Sequence, residues 1–323
     1  MLKIGIFGVG QTGRILIERL KAIDQYQLVG FYDIDDKNSV YTAKTYGLKR
    51  YQSFLELIDD SDVISISTPS NTHYDYAKAA ITRGRHIFIK KPLARDILKA
   101  EKLITLSEEA EVKVQVGHVE RFNAGLLAVR GYLDQPMFIE SRRLVTQQGD
   151  QNSSIVYDLM LHDIDIIISV INSPVKRIHA SGAAVFHDTP SIVNARVEFG
   201  NGAVANLTSS RIASSNYCKT TFYQRQNIIT VDFLHQQGEI ISRPGQSEQK
   251  PHITPLHTRQ PQSIIGPMQS YDPEILHKEA IEAELNYFYD SIMNNTAPAA
   301  TINDSYQGLQ LAKAITEKIH NTF

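Results

Sequence analysis

The apolar positions in the first third of the chain switch repeatedly between two periods. Lys3 to Phe7 reads as a short buried strand, after which the apolar residues take helical spacing at Leu16, Leu20 and Ile23. Tyr26 to Tyr32 returns to a strand pattern. Val40 to Tyr46 predicts a short helix closed by Gly47, and Ser53 with Glu56 has capping-box spacing for another. Asp62 to Ser67 predicts a strand, Tyr74 to Thr82 a helix stopped by Gly84, and His86 to Lys90 a strand. Arg95 to Ala110 predicts a helix and Val112 to Val116 a strand. Strands separated by helices imply right-handed crossovers and a doubly wound parallel sheet of Rossmann type, covered on both faces.

The pattern then changes. Met137 to Thr146, Lys176 to Phe186, Ile192 to Phe199, Ala203 to Arg211, Lys219 to Gln224 and Asn227 to Asp232 all read as strands, with a hairpin turn at Gly200-Asn201-Gly202. One helix interrupts them, from about Ser154 to Ile171, with Met160, Ile164, Ile167 and Ile171 on its buried face. Arg243 to Tyr271 is rich in Pro, Gln and Ser, lacks periodicity, and reads as a long excursion or subunit arm. Asp272-Pro273 opens a helix carrying Ile281, Leu285, Phe288 and Ile292 on one face, and Asn303 or Asp304 caps a last one with Leu311, Ile315 and Ile319 aligned. The fold class is α/β: an N-terminal Rossmann sheet, then an α+β domain with a large, mostly antiparallel, open-faced sheet. The expected divisions are 1–120, 121–302, and a C-terminal helix 303–323 packing back on the first domain.

The first strand-to-helix junction carries chemistry. Gly8, Gly10 and Gly13 bracket Val9, Gln11 and Thr12. Glycines at this spacing permit a tight turn, backbone approach to a pyrophosphate, and close helix–strand packing, while the helix N-terminus offers free N–H groups to phosphates. Asp33 ends the second strand twenty residues after Gly13. A carboxylate there accepts hydrogen bonds from the adenosine ribose and repels a 2′-phosphate, so the expected cofactor is NAD rather than NADP. Asp35 and Asp36 read as solvated turn residues.

Composition narrows the field. The chain has 323 residues, a hydrophobic fraction of 42% and a net charge of −2, which gives no basis for general nucleic-acid or membrane affinity. The single cysteine, Cys218, allows no internal disulfide and reads as a small buried hydrophobe. No apolar run reaches membrane-spanning length, and the chain opens on a core strand that leaves no room for a signal peptide, so the expected location is cytoplasmic.

Three further segments stand where a ligand would sit. Thr68-Pro69-Ser70-Asn71-Thr72-His73 and Lys90-Lys91-Pro92-Leu93-Ala94 follow strand ends, and ligands in open α/β sheets bind beyond the carboxyl ends of strands. Asp158 and His162 are four apart on the predicted helix and share a face, which Asp165 continues. An aspartate beside a histidine suits a general base. A surface ion pair and a metal site are the competing readings, and with no third ligand evident no metal is expected.

With the glycine turn, these segments resemble the Gfo/Idh/MocA family of sugar and polyol oxidoreductases over nearly the whole chain. The resemblance implies that Thr68-Pro69 lies near the nicotinamide ribose and that Asn71 and His73 surround the cofactor. It implies that Lys91 holds a substrate hydroxyl beside the nicotinamide and that His162, with Asp158, contacts the substrate and removes its proton. The family usually has Glu where this chain has Lys90, which puts a cofactor contact in question. The run Gly117-His118-Val119-Glu120-Arg121-Phe122-Asn123, taken with Asp158 to Asp165, looks most like the members that oxidise C3 of a UDP-N-acetylhexosamine in lipid A precursor synthesis. There Arg121 is expected to bind the diphosphate or orient the sugar and Asn123 to hold a ring hydroxyl, each with an interdomain brace as its alternative. Arg142 and Arg143 alternate along a strand, so at most one faces the site. The alternatives are a myo-inositol or glucose-type dehydrogenase, or a regulator that senses the dinucleotide without turnover. The expected partners are a small sugar or sugar nucleotide and further copies of the chain, as a homodimer or homotetramer.

Overall fold

The computed structural model of the protein describes residues 1–146, 154–185, 188–242, 269–271 and 279–320. They form two compact units, 1–119 with 279–306, and 120–278 with 307–323.

In the first unit β1 (Leu2–Phe7), β2 (Tyr26–Tyr32), β3 (Val63–Ile66), β4 (His86–Lys90) and β5 (Val114–Gly117) form a parallel sheet in the order β2-β1-β3-β4-β5. The crossovers carry α1 (Gln11–Leu20), α2 (Asp36–Tyr46), α3 (Phe54–Asp59), α4 (His73–Ile81) and α5 (Ile97–Glu109). Helix α1 forms because Leu16, Ile17 and Leu20 recur on one buried face. Helix α2 starts earlier than its apolar spacing suggested. Asp35 is its N-cap, accepting the Asn38 N–H at 2.8 Å, and Asp36 in its first turn pairs with Arg50. These acids therefore start a helix rather than a solvated turn, as carboxylates at a helix N-terminus do. The strand order reverses between β1 and β3, which opens a crevice at their carboxyl ends.

In the second unit α6 (Ala124–Val129) precedes β6 (Phe138–Leu144), α7 (Leu161–Val170), β7 (Val175–Ala183), β8 (Ile192–Phe199), β9 (Val204–Ser210), β10 (Tyr217–Tyr223), β11 (Asn227–Asp232), β12 (Gln237–Ser242) and β13 (Gln269–Tyr271). These strands make one eight-stranded sheet in the order β13-β12-β11-β10-β6-β9-β8-β7, antiparallel except where β6 pairs with β9. Strand β12 has no counterpart in the predicted elements, because its polar start and single Ile-Ile pair carry little periodicity. The expected loop 243–271 ends in β13; its other residues, and the helix start expected at Asp272-Pro273, lie outside the described residues. Met160, Ile164, Ile167 and Ile171 are all buried, as their spacing predicts, and share a core with Val193, Val197 and Leu207 of the sheet.

The last two helices differ from the sequence expectation. Helix α8 (Ala280–Met293) belongs to the first unit, where Leu285 and Phe288 are fully buried beside Leu16, Ile17 and Phe31. Each such side chain contributes about 1.5–3 kcal/mol when it leaves water. In α9 (Ile302–His320), Leu311, Ala312, Ile315 and Ile319 instead enter the core of the second unit. Both helices have one apolar face, and periodicity shows that a face is buried without showing against what.

Candidate cofactor and active site

The β1–α1 turn is built for close approach. Gly8 has φ 84°, a left-handed value, and its N–H donates to the Tyr32 carbonyl oxygen at 2.9 Å. A Cβ on Gly13 would stand 2.0 Å from the Gly8 carbonyl oxygen, so any side chain there would force strand and helix apart. A Cβ on Gly10 would meet nothing within 4 Å, which leaves open space over the turn. Gly10 is also the N-cap of α1; it offers no side-chain cap, and the first turn holds no acid. The amides of that turn are thus left for an external acceptor.

Asp33 locks onto the same turn. Its Oδ2 accepts the Val9 N–H at 2.7 Å and its Oδ1 accepts the Asp35 N–H at 2.8 Å. The carboxylate is held in one orientation at the end of β2, with its remaining lone pairs available to hydroxyl donors. Open glycine turn, uncapped helix and fixed carboxylate fit a dinucleotide.

The loop after β3 meets this turn at the switch point, where a Cβ on Gly8 would lie 2.9 Å from the Thr68 Cγ2. The Thr72 hydroxyl lies 2.8 Å from both the Thr68 hydroxyl and the Pro69 carbonyl oxygen, which ties the loop to itself. Asn71 is exposed in it. His73, expected beside the cofactor or in a packing role, has both ring nitrogens on backbone carbonyls. Its ring is 1% exposed, with Nδ1 2.8 Å from the Pro92 carbonyl oxygen and Nε2 2.9 Å from that of Thr68. Both nitrogens face backbone, so the ring braces the Thr68 loop and the segment after Lys91. Burial holds its proton affinity below that of a free histidine, opposed by the two carbonyl contacts. Lys91 itself is half-buried just past β4. Lys90 turns to the glycine turn, where its Nζ donates to the Thr12 Oγ1 at 3.1 Å.

In the second unit the helix bearing Asp158 and His162 begins with a π turn, Val156–Met160, before α7. His162 is half-buried in the first turn of α7. Asp158 is exposed, and its Oδ2 accepts from Arg211 Nη2 at 3.2 Å. Arg211 is buried, a partner that sequence spacing alone does not reveal. Asp165 does not extend an exposed stripe. It is 2% exposed and takes both Nε and Nη2 of Arg121, at 2.8 and 2.7 Å. Arg121, expected to bind a diphosphate, is therefore spent on a buried bidentate pair. Asn123 is likewise structural: its Oδ1 accepts the Gly125 N–H at 3.1 Å as the cap of α6, and its Nδ2 donates to the Phe233 carbonyl oxygen at 3.0 Å. Arg143 is the buried member of its pair, bound to Asp163 and Glu120. Burial works against its charge, but those two carboxylates outweigh it and raise its proton affinity. Arg142 is exposed over the Tyr217 ring, and Cys218 is buried as expected.

Among the described residues no group of three His, Cys, Asp or Glu is placed to hold a metal, and no helix is long and apolar enough to cross a membrane.

Residues 2–118 match a family described as "Oxidoreductase family, NAD-binding Rossmann fold", and residues 125–231 match its "GFO/IDH/MocA C-terminal domain". A UDP-N-acetylglucosamine 3-dehydrogenase of Acidithiobacillus ferrooxidans is 28% identical over 244 residues, 75% of this chain and 77% of that protein. A myo-inositol 2-dehydrogenase of Thermotoga maritima is 25% identical over 67% of this chain and 70% of its own length. A solved structure of the Acidithiobacillus ferrooxidans enzyme shares the fold with a TM-score of 0.88 at 23% identity, covering 99% of this chain and 98% of that one.

Proposed function

Because the chain belongs to the Gfo/Idh/MocA family of NAD-binding sugar dehydrogenases, we propose that its substrate is a UDP-N-acetylhexosamine, oxidised at C3 to the 3-keto sugar nucleotide. The observation that carries this choice is the 28% identity to a UDP-N-acetylglucosamine 3-dehydrogenase across three quarters of the chain. When bound, NAD supplies the hydride acceptor. The chain's own residues do the rest. His162 takes the proton of the C3 hydroxyl as general base. Asp158, preceding it on the same helical segment, supports His162 in that step. Lys91 Nζ donates to the same hydroxyl oxygen and stabilises the negative charge that grows on it. Gly8, Val9, Gly10, Gln11, Thr12 and Gly13 cradle the cofactor, Asp33 receives its adenosine ribose, and Thr68, Pro69 and Asn71 border its nicotinamide half. His73 serves both sites by holding the Thr68 and Pro92 carbonyls in place. The same reading has the chain working in the cytoplasm as a homodimer or homotetramer.

Purified protein with NAD and UDP-N-acetylglucosamine should give a rise in NADH absorbance, with free glucose and myo-inositol giving none. A second reading, a polyol dehydrogenase, is favoured by the inositol-oxidising relative; turnover of myo-inositol with no response to the sugar nucleotide would select it.

Asp33 sets cofactor choice in this reading. Replacing Asp33 by Ala removes both the ribose acceptor and the charge that opposes a 2′-phosphate. We expect NAD affinity to fall about tenfold and the preference for NAD over NADP to shrink. Titration of both cofactors checks this, and an unchanged preference would remove Asp33 from the role.

A further inference from the structure

Lys90 stands where a lysine is electrostatically out of place. The first amides of α1 form the positive end of the helix dipole, with no acid in the first turn and no side-chain cap. An ammonium ion is repelled there. Lys90 is exposed at the end of β4 and has solvent open to it, yet its side chain reaches the first turn of α1 and donates to Thr12 Oγ1 at 3.1 Å. Among the described residues no carboxylate pairs with it. A cation and a helix N-terminus that converge on one place are both stabilised by an anion lying between them.

The hydrogen bond also sets the direction of the Thr12 hydroxyl. A lysine ammonium only donates, so Thr12 Oγ1 accepts, and its own proton is left to donate elsewhere. Three kinds of donor thus meet at one place: the ammonium, the Thr12 hydroxyl and the amides of the α1 first turn. A Cβ on the neighbouring Gly10 would find only open space, so the place is accessible. Donors of this kind match a phosphate group, whose oxygens are all acceptors.

We propose that Lys90 is a cofactor-binding residue whose ammonium, with the Thr12 hydroxyl and the α1 amides, binds the diphosphate of NAD. The inference rests on the glycine turn being the dinucleotide site, which titration of the unaltered protein with NAD tests separately. Lys90 is the last residue of β4 and Lys91 the first beyond it, and the two adjacent lysines divide the work. Lys90 serves the cofactor's charge, and Lys91 remains for the substrate hydroxyl.

The experiment is calorimetric titration of the full chain and its Lys90→Gln and Lys90→Arg variants with NAD, ADP and AMP, at low and at high salt. ADP carries the diphosphate without the nicotinamide riboside, and AMP carries a single phosphate. Lys90→Gln should weaken NAD and ADP by the same factor, about tenfold, and AMP by much less. Lys90→Arg should retain most of the affinity. High salt should narrow the gap between the unaltered protein and Lys90→Gln, because screening weakens an exposed charge–charge contact. Thermal melting should be the same for all three proteins, since Lys90 is exposed. Unchanged NAD and ADP affinities in Lys90→Gln would overturn the proposal, and so would a loss confined to NAD with ADP unaffected. An unaltered protein that binds no NAD would overturn the cofactor reading beneath it.

Discussion

Replacing His162 by alanine should lower turnover about 10²- to 10⁴-fold, the range typical for loss of a positioned general base, and should leave NAD affinity near that of the unaltered protein. The side chain is half-buried on α7 in the second unit, whereas the glycine turn, Asp33 and the Thr68 loop all lie in the first. In the proposed reading the imidazole acts on the substrate hydroxyl and not in holding NAD, so its loss should appear in kcat. A pH profile separates the chemical role from a packing role. A chemical role should alter the pH dependence of kcat/KM in the variant, whereas a packing role should leave its shape as in the unaltered protein. Equal losses in kcat and NAD affinity would mean that His162 supports the fold or the cofactor instead.

The second large effect is on stability. Asp165→Ala removes the carboxylate that takes Nε and Nη2 of Arg121, a guanidinium with 4% of its side chain exposed. A buried charge left without its carboxylate costs about 3–5 kcal/mol, so the denaturation midpoint of the second unit should drop sharply. Replacing both residues by apolar side chains of similar volume should restore much of the loss, because the pair itself contributes little beyond cancelling its own desolvation. This result also decides what Arg121 does. If the midpoint does not move in Asp165→Ala, the guanidinium is not committed to this pair, and its sequence-based role as a diphosphate ligand stands again.

The Rossmann half was legible because its signals are local. Gly13 needs no knowledge of distant residues: the packing of α1 on β1 excludes any side chain there. Asp33 was equally readable, since the end of β2 and the glycine turn are joined by a fixed count of residues. The buried face of α7 followed from spacing alone, with Met160 and Ile164 among the fully buried residues. What spacing alone does not show depends on distant partners. Arg121 and Asp165 are forty-four residues apart, and nothing in either neighbourhood says that they pair. Polar residues in a motif resemble ligands when read singly, yet Arg121 bonds the Asp165 carboxylate, Asn123 the backbone of Gly125 and Phe233, and His73 the Pro92 and Thr68 carbonyls. Lys90 is the opposite case. A sequence reading sees a departure from a family pattern, and only the position of Thr12 shows where the ammonium goes. The ends of the chain were misplaced because α8 and α9 have equally good apolar faces and differ only in the core that receives them.

The most direct measurement uses UDP-N-acetylglucosamine carrying deuterium at C3. Incubated with NAD and the protein, it should give reduced cofactor labelled at C4 of the nicotinamide, one deuterium per 3-keto product, as mass spectrometry of both would show. Reduced cofactor without the label, or no reduction from this substrate, would contradict the account.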